Sequence, residues 1–190
     1  MKKIDLNKLR DKAYKTACEH GLHDQELSNE HCLCLVISEL MKAVEADRKR
    51  KYYKGKIMFE RDFNLYSALV EENVLYRNAF EKHIKDTVGD KLADTVIRLL
   101  DLAGLRNLNL NRFALVNVVS KKKTFTENIH SIVKDITNYK YTLEELVNYA
   151  ITQVFVLSDI LDIDLLWHIE HKMKYVREEV LTHRINKCYG

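Results

Sequence analysis

Acidic side chains recur at helical spacing in two separate stretches of the chain. Acids on the inward faces of two helices are what a bundle needs to hold a divalent cation. The first stretch carries Glu39, Glu45 and Asp47, and the second carries Asp90, Asp94 and Asp101. On an ideal helix Glu45 and Asp47 point roughly 100° to either side of Glu39. Asp90 and Asp101, by contrast, share the Asp94 face, and Asp101 fits a metal role and a helix salt bridge equally well. His168 and His171, at i and i+3, resemble a metal pair. Glu170 falls on another face and no third ligand follows at helical spacing, so a partly exposed polar stripe is their expected use. His20, His23 and Asp24 at a helix end are expected to cap rather than bind. Cys18, Cys32, Cys34 and Cys188 match no zinc spacing and read as small core thiols. The basic run Arg48 to Lys51 with Lys54 and Lys56, interleaved with Tyr52 and Tyr53, reads as a solvated helix end that complements the helix dipole.

Holding such side chains in register requires rigid elements, and the composition says which kind. The 190 residues include no proline and only five glycines, which removes the usual punctuation of sandwiches and barrels. Lys and Arg number 31 against 28 Asp and Glu, so the net charge of +3 is too small to make nucleic acid an expected partner. No uncharged apolar run approaches the ~20 residues that cross a bilayer, and Met1 to Asp5 leads into a charged amphipathic segment rather than a signal sequence. A soluble, cytoplasmic chain with no membrane partner is expected. Apolar periodicity predicts helices over about 3–20, 30–50, 60–84, 88–104, 126–139, 142–161 and 164–184, with Phe113 to Val119 left open between a short helix and an extended piece. Leu33, Ile37, Leu40, Met41 and Val44 line one arc of the second helix and Cys32, Val36, Ala43 and Ala46 the other, which predicts burial on both sides. The expected fold is all-α, one domain over 1–190, a bundle of five or six helices with the Glu39 helix central.

The wording of several segments goes further. Ser38-Glu39-Leu40-Met41-Lys42-Ala43-Val44-Glu45-Ala46-Asp47-Arg48 and Lys85-Asp86-Thr87-Val88-Gly89-Asp90-Lys91-Leu92-Ala93-Asp94-Thr95-Val96-Ile97-Arg98 resemble the two metal helices of the MazG-like, all-α nucleoside triphosphate pyrophosphohydrolases. Phe80 to Thr87, Leu99 to Gly104 and Leu165 to Tyr175 resemble a long-insert branch of that family, so the likeness runs from about residue 28 to 175. The resemblance implies Glu-x-x-Glu on one helix and Glu-x-x-Asp on a later one, four carboxylates converging on Mg²⁺. It implies cleavage of a nucleoside triphosphate to monophosphate and pyrophosphate by activated water. It also implies a homodimer, and it places substrate binding at Lys172, Lys174 and Tyr175.

At the four metal positions this chain reads Glu39, Lys42, Lys91 and Asp94. Two carboxylates and two ammonium groups sum to zero, so the lysines are expected to replace the ion by pairing with Glu39 and Asp94. Asp90 and Asp101 are the candidates for substitute oxygens. The tail departs too: Val176, Glu178 and Glu179 stand where the family has groups suited to an anion. The sequence therefore reads as a pyrophosphohydrolase scaffold whose hydrolysis is in question. The rival is a non-catalytic helical protein that senses a nucleotide or binds a protein.

Overall fold

Side-chain caps decide where the helices begin. Ser28, Thr87, Thr124 and Thr142 are extended N-cap residues whose hydroxyls accept from the amides of His31, Asp90, Glu127 and Glu145. Glu127 and Glu145 reach back to the cap amides and complete two capping boxes. The resulting structure is a computed structural model that describes residues 4–53, 56–64, 71–110, 124–138 and 140–188, with side chains through Arg177. All described elements are helices: α1 (Leu6–Glu19), α2 (Asn29–Arg48), α3 (Lys56–Asn64), α4 (Glu72–His83), α5 (Val88–Leu105), α6 (Phe125–Ile136), α7 (Leu143–Ile160) and α8 (Leu165–Cys188).

The all-α expectation holds, and the count is corrected from five or six to eight helices among the described residues. The single helix expected over 60–84 is two. Phe59 and Phe63 of α3 set their rings edge-on to Tyr76 of α4 at 5.7 and 5.8 Å. In one straight helix Phe59 and Tyr76 would lie roughly 25 Å apart, whereas α3 and α4 pack side by side and close an aromatic cluster. Within that former helix, Tyr66, Leu69 and Val70 lie outside the described residues, as do Lys54, Gly55, Asn111, the Phe113 to Val119 stretch and the side chains of Glu178, Glu179 and Cys188.

The central helix is α5 rather than α2. It packs against α1, α2, α7 and α8 because its apolar residues run round most of its circumference, with Val88, Leu92, Val96, Leu99, Leu100 and Ala103 fully buried. Its Gly104 meets α1 so closely that a Cβ there would lie 2.4 Å from Tyr14 Cβ. Burial of α2 is one-sided: Cys32, Val36, Leu40, Ala43 and Ala46 are enclosed, Leu33, Ile37 and Val44 are half-covered, and Met41 is 45% exposed. A second, mostly aromatic cluster of Phe59, Tyr76, Phe80, Ile84 and Tyr175 joins α3, α4 and α8 beside this core. Among the described residues no single helix is long and apolar enough to cross a membrane.

Candidate functional site

The start of α5 is built around one buried acid. Thr87 Oγ1 accepts from the Asp90 amide at 3.2 Å and donates to the Ile84 carbonyl at 2.7 Å, while Asp90 Oδ2 accepts from the Asp86 amide at 2.9 Å. Asp86 takes a left-handed φ of 62°, a conformation Asp tolerates better than most residues. Asp90 is wholly buried, and its other oxygen, Oδ1, accepts from Lys172 Nζ of α8 at 2.9 Å. The same ammonium donates to Asp94 Oδ2, also at 2.9 Å. Lys91 Nζ turns back to Asp86 Oδ1 at 2.8 Å and lies 3.3 Å from Asp90 and 3.7 Å from Asp94. On α2, Glu39 is 7% exposed and accepts from Lys42 Nζ at 2.9 Å.

The expected pairing holds for Lys42 with Glu39 and, at a longer 3.7 Å, for Lys91 with Asp94. Lys91 makes its shortest contact with Asp86 in the turn that precedes α5, and Lys172 is the nearer partner of Asp94 at 2.9 Å. Four carboxylates face three ammonium groups here. Burial pushes the Asp94 carboxyl up to about 6, with the Lys172 ammonium working against the rise and the charges of Asp90 and Glu39 adding to it. Burial disfavours the Lys172 ammonium as well, but Asp94 and Asp90 outweigh it and its pKa ends above the ordinary lysine value. Lys91 is raised likewise, with burial overcome by its bond to Asp86 and the charges of Asp90 and Asp94. The hydrogen bond from Lys91 in turn holds Asp86 below the usual carboxylate range.

These donors do not fit Mg²⁺. A hard cation needs several converging oxygens, whereas both oxygens of Asp90 are committed to a backbone amide and an ammonium, and Lys172 and Lys42 each take one oxygen of Asp94 and Glu39. Among the described residues no group of three or more His, Cys, Asp or Glu is placed to hold a metal. Asp101 faces elsewhere and pairs with His23 Nε2 at 2.7 Å. Burial raises its pKa, with His23 countering. His20 is the C-cap of α1, while His23 binds Asp101 across to α5 instead of capping.

The three residues assigned to substrate binding do not converge. Lys172 lies inside the acidic centre. Lys174 sits 4.2 Å over the Tyr76 ring and 3.5 Å from Glu72, and Tyr175 is 4% exposed, stacks on Phe80 and donates to Glu81 at 2.8 Å. Successive positions 100° apart on a helix separate them. His168 is also corrected: it is 2% exposed because it packs against Gly89 and sets its ring edge-on to Tyr53 and Trp167. Sequence reasoning missed Lys172 as a counter-ion. Its signal was the pair Asp90 and Asp94 one turn apart on an inward face, which needs a cation from another element.

The cavity that reaches Asp94 holds only about 120 Å³, below the several hundred Å³ of ordinary ligand pockets, while one of about 510 Å³ adjoins His23, Arg98 and Asp101 without reaching Asp94. No protein-family model, curated protein or solved structure matches the chain.

Proposed function

We propose that this chain is a helical binding protein on a MazG-like scaffold that does not hydrolyse nucleoside triphosphates. The observation that carries the reading is Lys172, whose ammonium lies 2.9 Å from both Asp90 and Asp94 and does the neutralising that a metal would otherwise do. Cleavage of a triphosphate by this route needs a divalent ion bridging carboxylates to phosphate oxygens. The excess of one carboxylate repels phosphates, and the Lys172 ammonium stands between Asp90 and Asp94 where a bridging ion would have to sit. The nucleotide implied by the resemblance would then be held intact.

The test is pyrophosphate release across common and modified nucleoside triphosphates with Mg²⁺ or Mn²⁺, run beside thermal unfolding with the same nucleotides and no metal. No release, with a rise in the unfolding midpoint for one nucleotide class, supports the proposal. Metal-dependent release that disappears in Asp94→Ala rejects it.

A further inference from the structure

A pocket of about 490 Å³ lies among the segment after α2, the start of α5 and the turn between α7 and α8. Its chemistry is not used by the acidic centre. Tyr53 stacks on Trp167 with ring centroids 5.0 Å apart, and the Lys56 ammonium stands 5.6 Å from the Trp167 ring centre and 2.5 Å from Asp164 Oδ2. A cation from the chain itself thus already occupies an aromatic face beside a carboxylate.

The charge and hydrogen-bond balance of the lining are both lopsided. Asp162 and Asp164 face one ammonium, Lys56, leaving a net charge of −1 among the lining side chains. His168 adds no charge, because burial lowers its pKa to about 4. Its Nδ1 and the Tyr53 hydroxyl are both buried behind the lining without a hydrogen-bond partner. The wall offers two carboxylates and an aromatic face, the complement of a positively charged N–H donor.

We propose that this pocket receives a small organic cation bearing N–H donors, an alkyl diamine or polyamine, and that Lys56 Nζ holds the ammonium position in the resting protein. The tethered lysine competes with any free amine, so the parent binds weakly. Removing it vacates the seat, while Asp164 is left to pair with the ligand.

Trp167 is the only tryptophan in the chain, so intrinsic fluorescence reports on this pocket directly. The full-length parent, Lys56→Gln, and Lys56→Gln combined with Asp164→Asn are titrated with putrescine at low ionic strength, with circular dichroism confirming that each is folded. Asn still caps α8, where Asp164 accepts from the Trp167 amide, so the second change removes charge without removing the cap. Saturation of Lys56→Gln at a concentration at least tenfold below the parent, reversed at least tenfold by Asp164→Asn, is expected. Asp162→Asn in the Lys56→Gln background weakens binding as well, and tetramethylammonium, which has no N–H, binds more weakly than putrescine. No saturable change in Lys56→Gln, or a change indifferent to both Asp substitutions, overturns the proposal; equal binding of tetramethylammonium overturns the N–H requirement. Pyrophosphate release does not enter this readout, so the inference stands or falls apart from the proposed function.

Discussion

Lys172 is the residue on which the acidic centre turns, because one ammonium serves two carboxylates and lies only 12% exposed. Lys172→Met keeps the aliphatic stem and leaves Asp90 and Asp94 facing each other without their shared donor. Breaking a buried pair from one side costs about 3 kcal/mol, and urea unfolding at pH 7 is expected to show a loss of that order. The loss should shrink at pH 5, because Asp94 can then take up a proton. The same titration is visible in the parent. Asp94 has a folded pKa of about 6 against an unfolded value of 3.8, so the folded state binds its proton more tightly. Stability from this group is therefore fully present below the unfolded value and is lost as pH rises through 6. A shift of this size is on the order of 2 kcal/mol after allowing for partial exposure. Urea unfolding between pH 4.5 and 7.5 should slope downward in the parent relative to Asp94→Asn; parallel curves for the two proteins would contradict the burial assigned to this carboxyl.

At the scale of elements, the junction of α5 with α8 depends on a missing side chain. A Cβ on Gly89 would lie 2.6 Å from His168 Nε2, on a ring held between Tyr53 and Trp167. Gly89→Ala gains helix propensity but forces His168 or α8 outward, and overpacking of this kind costs about 1–3 kcal/mol. Thermal unfolding should show the loss, and Trp167 emission should shift with it. Unchanged stability would mean that the two helices have room to part. The same junction shows what the sequence made legible. Periodicity announced the starts of α2, α5 and α7 because it is local, and the structure adds at each start a Ser or Thr three residues before the amide it serves. The break between α3 and α4 was not legible, since Phe63, Tyr66, Val70 and Val74 keep helical spacing straight across it. Glu39 and Lys42 pair within one turn and could be read directly. Lys172 reaches Asp90 from 82 positions away, a distance at which spacing carries no information.

Over the whole molecule, α5 sets the charge problem by carrying Asp90, Asp94 and Asp101 into the centre of the bundle, and helices on either side answer it. Lys42 comes from α2, Lys91 from α5 itself and Lys172 from α8, so the neutralisation depends on the assembled fold. This arrangement makes the response to charge reversal collective. Lys42→Glu alone removes the partner of Glu39, and Lys91→Glu alone removes the partner of Asp86; each places one new carboxylate beside an acid while the remaining ammonium groups hold their own partners. Both single variants should lose stability and respond little to Mg²⁺. With Lys42→Glu and Lys91→Glu together, six carboxylates face Lys172 alone. That excess opposes folding unless a cation is taken up, and hard oxygens from two helices now converge where Mg²⁺ prefers them. Binding to the folded state alone stabilises it by about 2.7 kcal/mol at a hundredfold excess over the dissociation constant. The double variant's unfolding midpoint should therefore climb with Mg²⁺ from 0 to ~10 mM, while the parent's stays level. Pyrophosphate release is not expected to accompany the metal, because Lys174 and Tyr175 are turned into the aromatic cluster and do not line up with Lys172 as a phosphate-binding row. A folded double variant whose midpoint ignores Mg²⁺ would show that Lys42 and Lys91 do not stand at positions capable of holding a metal, and the lysine-for-metal reading of the centre would fall with it.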